Sequence, residues 1–370
     1  MNEKSIKYVG LDVHKDSITI AIADDGRDGE VRVYGKIANN LDQIDKVMRK
    51  LISQNSQLRC VYEAGPCGYL ICRHLSSKGI DCAVAAPALI PKKSGDRVKN
   101  DRRDAKKLAT LHRAGELTAV YVPNQEDEAL RDLVRTRTDF QIALRKVKQQ
   151  INAFLLRHGI NYPGKSKWCK AHLSWLETIK MPHPAQQIAF TEYLDALANI
   201  EARVMRINKQ IEAFCQTWRL RPVVEALQAL RGISLISAVT VLAELGDLTR
   251  FEKPTQLMAY LGLVPSEYST GDAIKRGSIT KSGNTHARKA LIESAQAYRL
   301  PARKSKTIRK RQEGVPEDVV DIAWNAQLRL CHRYRRLIAK GKKHNVVITA
   351  IARELVGFIW AIARVVPLTV

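Results

Sequence analysis

Cysteine is sparse in this 370-residue chain, and nothing pairs it. The seven cysteines (Cys60, Cys67, Cys72, Cys82, Cys169, Cys215 and Cys331) are odd in number and lack CxxC spacing. That argues against a disulfide framework and a thiolate zinc site; they read as reduced, mostly core thiols. Long apolar runs are also lacking, since none approaches the roughly 20 residues that span a bilayer. The N-terminus shows no signal-peptide pattern, because Met1-Asn2-Glu3-Lys4-Ser5 leads straight into a strand. The expected location is therefore the cytoplasm. No internal repeat and no low-complexity tract is present. Acids are the scarce charge: 37 Asp and Glu face 61 Lys and Arg, a net charge of +24 and a pI near 9.9. Such an excess points to a polyanion, and nucleic acid is expected over a membrane surface. A hydrophobic content of 45% says that the chain folds, and its length allows two or three domains.

The N-terminal pattern predicts three strands, Lys7–Asp12, Ser17–Ala23 and Val31–Tyr34, with Asp24-Asp25-Gly26 turning the second into the third. Residues 40–54 carry apolar positions at helical spacing, with Asn40 as N-cap. A strand at 58–63, a helix at 66–78 and a strand at Ile80–Val84 follow. Three antiparallel strands and then alternating helices and strands is the element order of a ribonuclease-H-like fold. In that order, acids on the first and fourth strands meet beside a later helix.

Four acids occupy those places. Asp12 ends the apolar run Tyr8-Val9-Gly10-Leu11, and Glu63 ends Cys60-Val61-Tyr62 before Ala64-Gly65-Pro66 turns the chain. Asp101 and Asp104 lie three apart at the start of a helical pattern, and so share a helix face. Together they make a cage for a hard divalent cation, Mg2+ or Mn2+, of the kind that positions a scissile phosphate. Clustered carboxylates repel, which raises their pKa values until a cation or a proton compensates. Lys99, Arg102, Arg103, Lys106 and Lys107 surround the helix acids and can hold phosphates. His14, two residues beyond Asp12 on the same strand face, is expected to be structural.

From 126 to 218 the pattern predicts two long helices, Glu126–His158 and Gln186–Trp218, antiparallel or coiled. The stretch 159–184 between them reads as an irregular insertion. Val224–Leu230, the turn Arg231-Gly232-Ile233-Ser234 and Leu235–Leu245 resemble a helix-hairpin-helix, whose turn amides (Gly232, Ser234) can hold a phosphate. A Ser/Thr-rich stretch, Ser266-Glu267-Tyr268-Ser269-Thr270-Gly271-Asp272, precedes Arg276, Lys281 and a helix, Thr285–Tyr298, that carries Arg288. A hydroxyl there can either attack a phosphate or merely contact backbone phosphates. Residues 301–370 hold fifteen Lys or Arg against five acids. Arg309, Arg311 and Arg335 in that segment, interleaved with Trp324 and Tyr334, read as an electrostatic grip on nucleic acid.

Gly10-Leu11-Asp12-Val13-His14-Lys15, Tyr62-Glu63-Ala64-Gly65-Pro66 and Asn100-Asp101-Arg102-Arg103-Asp104-Ala105 together resemble the DEDD transposases of the IS110 insertion-sequence family. Leu230–Ser234, Glu244-Leu245-Gly246-Asp247, Gly262-Leu263-Val264-Pro265 and Thr280–Asn284 with Arg288 resemble its C-terminal transposase domain. The match covers roughly 6–300. It implies a RuvC-like domain (1–122), a coiled-coil middle (123–220) and a C-terminal transposase domain with a serine nucleophile (221–300); the basic tail (301–370) is longer and more basic than the match requires and reads as extra nucleic-acid contact. It also implies site-specific insertion and excision of an element on DNA. A structured noncoding RNA would direct this, in a homo-oligomer, a dimer or tetramer, with composite active sites. The metal-binding tetrad maps onto Asp12, Glu63, Asp101 and Asp104. The family pattern places serine just before glycine and five residues after proline. Here Thr270 holds that place, and Ser269 precedes it as the preferred nucleophile. Two other readings stay open: a RuvC-like structure-selective nuclease using water, and a non-catalytic nucleic-acid-binding protein.

Overall fold

The computed structural model describes residues 5–53, 55–91, 100–270 and 273–367. The chain divides into two compact units, Met1–Val122 and Pro123–Val370.

In the first unit, β1 (Ser5–Val13), β2 (Ser17–Asp24) and β3 (Val31–Ala38) form an antiparallel meander. Helix α1 (Leu41–Ile52) follows, with Asn40 Oδ1 accepting from the Asp42 amide. Then come β4 (Ser56–Glu63), α2 (Leu70–Ser77), β5 (Asp81–Ala85) and α3 (Asp101–Arg113). The sheet order is β3-β2-β1-β4-β5, with β4 parallel to β1 and β5 parallel to β4. This is the strand order of the ribonuclease-H-like fold.

Alternation along each strand sends side chains to opposite faces. Val9, Leu11, Ile18, Ile20, Ile22, Cys60 and Tyr62 bury one face with residues of α1 and α2. The other face carries Tyr8, Ala21, Ala23 and Val61, which pack with Ala105, Leu108 and Ala109 of α3. Gly10 belongs to this second face. A Cβ there would collide with the Ala105 carbonyl and the Ala109 amide of α3, so only glycine lets the helix lie this close.

The second unit is almost wholly helical. It opens with α4 (Gln125–Arg157), the short α5 (Lys170–Thr178) and α6 (Pro184–Cys215). Helices α4 and α6 run antiparallel: Arg137 reaches Asn208, Lys148 reaches Glu201, and Phe154 stacks on Phe190. The regular stripe lies on α6, where Phe190, Leu197, Val204 and Ile211 are buried at seven-residue intervals. On α4, Leu130, Val134 and Val147 are buried, but Ile142 is 52% exposed. The insertion 159–184 closes the far end of this hairpin. There Tyr162, Trp168, His172 and Trp175 pack ring against ring.

Next come α7 (Arg221–Leu227), α8 (Leu235–Leu245), α9 (Pro254–Tyr260), the ribbon β6 (Pro265–Glu267) and β7 (Arg276–Ile279), and α10 (Thr285–Ala295). Then α11 (Lys306–Gln312), α12 (Glu317–Ala339) and α13 (His344–Val365) complete the chain. The connection between α7 and α8 spans 228–234, longer than the four-residue turn read from sequence. Residues 301–370 are more than a tail. Val319, Ala323, Leu330, Ile351, Leu355 and Ile359 share one apolar core with α7, α8 and α10. The sequence reading weighed the exposed charges of this segment over its buried stripe. Helix α13 is long and apolar enough to cross a membrane by length and composition, but half of that window is buried in this core.

Candidate active site and nucleic-acid surface

The apolar runs of β1 and β4 end side by side. In the parallel register Leu11 faces Tyr62, so Asp12 and Glu63 follow at the same edge of the sheet. Alternation puts Asp12, after Gly10, and Glu63, after Val61, on the face covered by α3. Asn100 starts that helix, with its Oδ1 accepting from the Arg103 amide at 2.9 Å. Asp101 and Asp104 therefore fall in the first turn, where the helix dipole favours negative charge.

Asp12, His14 and Asp101 offer ligand atoms within 4.8 Å of one another. His14 Nε2 stands 3.2 Å from Asp12 Oδ2 and 3.6 Å from Asp101 Oδ1. Lys36 Nζ donates to Asp101 Oδ2 at 3.1 Å. Burial holds the Asp12 carboxyl above its ordinary value. His14 counters by charge and hydrogen bond, while the charges of Asp101 and Asp104 push it further up. Asp101 lies below its ordinary value, chiefly through the hydrogen bond from Lys36. Thus Asp104 is near enough for its charge to act on Asp12, while Glu63 is exposed at the neighbouring strand end. Neither belongs to the tight three-residue group.

The surroundings suit a hard cation. Thr19 is the cross-strand neighbour of Asp12, and its buried Oγ1 has no hydrogen-bond partner among the described residues. A concavity of about 360 Å³, lined by Thr19, Gly35, Lys36, Asn100, Asp101 and Arg102, opens beside the acids. Carboxylate oxygens predominate in the donor set, as Mg2+ and Mn2+ prefer. Lys36 now offsets part of the carboxylate charge, and His14 Nε2 lies within hydrogen-bond distance of Asp12. Sequence reasoning set His14 aside as structural and missed Lys36. The period-two spacing of His14 from Asp12 was the available signal; Lys36 comes from a different strand and left none.

The hydroxyl-rich stretch is a ribbon, not a featureless loop. Ser269 Oγ donates to Glu267 Oε1 at 2.9 Å, and Arg276 Nε holds Glu267 Oε2 at 3.3 Å. The hydrogen bond from Ser269 and then that from Arg276 keep the Glu267 carboxyl below its ordinary value. Thr270 instead exchanges backbone hydrogen bonds with Ala273, at 3.2 Å each way.

The base of the ribbon interlocks. A Cβ on Gly262 would strike Ser282, and one on Gly283 would strike Tyr260. Both glycines and Lys281 have left-handed backbones, φ +61°, +72° and +56°. The buried guanidinium of Arg288 donates to Leu261 O and Ser282 O, both at 2.9 Å, and so ties the two sides together. Glu244, with no side-chain exposure, receives both Arg135 nitrogens at 2.7 and 2.8 Å and Asn284 Nδ2 at 2.6 Å. Asn284 also caps α10.

The remaining cations expected to face nucleic acid fall into three groups. Arg102, Arg103, Lys106, Arg276, Lys281, Arg309 and Arg335 are exposed. Arg311 is half-buried and donates to Ile233 O at 3.1 Å, while Ser234 caps α8. Gly232 has φ +86°, and Ser294 packs against it. Arg288 faces inward: from the first turn of α10 its guanidinium ties the root of the ribbon together, a structural role its charge concealed in the sequence. Lys99 lies outside the described residues, as do Gly271 and Asp272.

Sheet order and carboxylates together define a nucleic-acid enzyme of the ribonuclease-H-like class. Residues 9–160 match the DEDD transposase family of IS110 type. Residues 224–311 match the transposase family described as IS116/IS110/IS902. The chain is 50% identical to the putative transposase y4qE of Sinorhizobium fredii, across 96% of this chain and 88% of that one. It is 32% identical to the transposase for insertion sequence element IS1533 of Leptospira borgpetersenii, across 91% and 98%. A probable family 20 transposase of Pseudomonas aeruginosa is 30% identical across 71% and 80%. The chain belongs to the IS110 family and is a DNA transposase.

Proposed function

We propose that this transposase cuts and rejoins DNA at specific sites with two sets of residues. Asp12, Glu63, Asp101 and Asp104 hold a divalent cation, Mg2+ or Mn2+, and Ser269 is the nucleophile. The observation that carries the reading is the meeting of Asp12 and Asp101 with His14 at the strand edge, in a chain of this family. A bound cation would neutralise charge on the scissile phosphate and help to align the attacking oxygen. Ser269 Oγ attacks phosphorus, the P–O bond to the leaving strand breaks, and the serine proton passes by way of Glu267 to the departing oxygen, while Arg276 holds Glu267 in place. The strand is then joined to the protein through a phosphoserine until the recipient strand's hydroxyl displaces it. Thr270 is the rival nucleophile by position, but its methyl crowds the attack and its backbone closes the ribbon tip.

Arg102, Arg103, Lys106, Arg276, Lys281, Arg309 and Arg335, with Lys99, would contact phosphates. Gly232 and Ser234 would add contacts at the turn before α8. The net charge of +24 also suits a second polyanion. We assign to it a structured noncoding RNA that supplies target choice, bound by a dimer or tetramer working in the cytoplasm at the nucleoid. A RuvC-like nuclease using water is the alternative to the serine step. Asp12→Ala and Glu63→Ala, assayed on DNA carrying the element ends, should each abolish cleavage and leave binding intact. Cleavage retained by both variants would end the tetrad assignment.

A further inference from the structure

In the second unit, three helices enclose a polar cavity of which the contacts proposed above use only Ser234. It holds about 200 Å³ between α4, the start of α8 and α10. Arg137 and Arg145 line it from α4, and His286 and Lys289 from α10. The only acid in its wall is Glu293. We propose that this cavity binds a backbone phosphate of a nucleic-acid strand, anchoring that strand where the long helical hairpin meets the C-terminal core.

The argument is one of unmatched charge. Several charged groups between the helices of this unit are paired with acids: Arg135 with Glu244, Lys148 with Glu201, Arg219 with Asp127. In the cavity the count fails. Arg145 and Lys289 make no ion pair or hydrogen bond with the described residues. Arg137 commits Nε to Asn208 Oδ1 at 2.6 Å and leaves its terminal nitrogens to the cavity. Burial lowers the Arg137 guanidinium, and Glu293 offsets only part of that. Arg137 and Lys289 are half-buried while Arg145 is exposed beside them, and half-buried cations with too few acids are costly unless an outside anion completes them.

Wall chemistry selects the anion. The His286 imidazole is the only ring in its wall, with no Phe, Tyr or Trp beside it, so it lacks the broad stacking platform that a base requires. Ser234 and Ser237 hydroxyls lie 3.0 Å apart. One hydroxyl hydrogen serves the pair, and the other is left to donate outward. Guanidinium, ammonium and hydroxyl donors form the donor set of a phosphate contact. DNA and RNA both present this group. The inference rests on the chain's acting on nucleic acid and is independent of which oxygen attacks.

The test uses the full-length protein with Arg145→Gln and Lys289→Gln combined. Binding to duplex DNA of the element end, and separately to a stem-loop RNA transcribed from the same element, is measured across salt concentrations. Affinity for at least one probe should fall about tenfold or more, and the slope of log K against log salt should lessen by about one to two. Loss on DNA alone or on RNA alone identifies the strand that occupies the cavity. An equal charge change at exposed Lys340 and Lys342, both to Gln, should have less than half the effect. Unchanged affinity and slope on both probes would overturn the proposal, as would an equal loss in the Lys340/Lys342 variant. If the double variant has a lowered Tm, Lys289→Gln alone carries the same test. Failure here would leave the cleavage defects of Asp12→Ala and Glu63→Ala as they are, so the two readings fail separately.

Discussion

The acid cluster and the hydroxyl ribbon are held in place by opposite means. Asp12 and Glu63 stand at the ends of central strands with an apolar core on both faces. Their positions follow from strand register and from one helix packed against Gly10. Ser269 stands on a two-stranded ribbon with Glu267, Tyr268 and Arg276 exposed around it. That ribbon is fixed only at its root, by two left-handed glycines and by buried polar groups. A core holds the first site, and a clamp of hydrogen bonds holds the second. Damage to each should therefore look different.

The largest effect is expected at the acids. Asp101→Asn removes a charge without changing shape. It should lower cleavage of element-end DNA by about a hundredfold to a thousandfold, with Tm kept. Equal rates for variant and wild type would detach Asp101 from the chemistry.

The clamp comes next. Glu244→Ala removes the buried acceptor of the Arg135 guanidinium and the Asn284 amide and leaves a gap. It should cost about 3–5 kcal/mol in urea unfolding. The same group has a pH signature. Burial pushes the Glu244 carboxyl up, but hydrogen bonds from Arg135 and Asn284 outweigh it and leave it below its ordinary value when folded. A carboxyl lowered by folding stabilises above its unfolded pKa, about 4.3. That stability disappears as the pH falls through the folded value. Unfolding followed from pH 6 to pH 3 should thus steepen in the wild type and flatten in Glu244→Gln. Parallel curves would contradict the clamp.

Gly10→Ala probes the other mechanism. Its Cβ would push α3 off the sheet and carry Asp101 and Asp104 away from Asp12. We expect a cost of about 1–3 kcal/mol together with impaired cleavage, although every acid is present. Full activity in that variant would mean that the close approach of α3 does not set the site. The smallest effect belongs to Lys148→Ala, on the long hairpin. Its pair with Glu201 at 2.9 Å is partly exposed and should be worth about 0.5 kcal/mol. A larger loss would show the hairpin to be tighter than its packing indicates.

Much of the first unit was legible in the sequence. Strands β1, β2 and β4 are apolar runs, and the core selects them by a period that sequence displays directly. The acids at their ends needed no more than that. The ribbon β6–β7 was not legible, because its residues are polar on both faces and leave no alternation. The partnership of Arg135 with Glu244 joins positions 109 apart, and no local pattern encodes it. Arg288 looked like a surface cation because charge is visible in a sequence and burial is not. The helices after 300 were masked in the same way: their basic runs obscured the apolar stripe that joins the core.

The most direct test of the account is to trap the reaction between the full-length protein and element-end DNA with Mg2+, and to map any attached nucleotide by mass spectrometry. The account predicts a phosphoserine link at Ser269, absent from Ser269→Ala and from Asp12→Ala. Cleaved DNA with no protein attached, from an otherwise active enzyme, would contradict it.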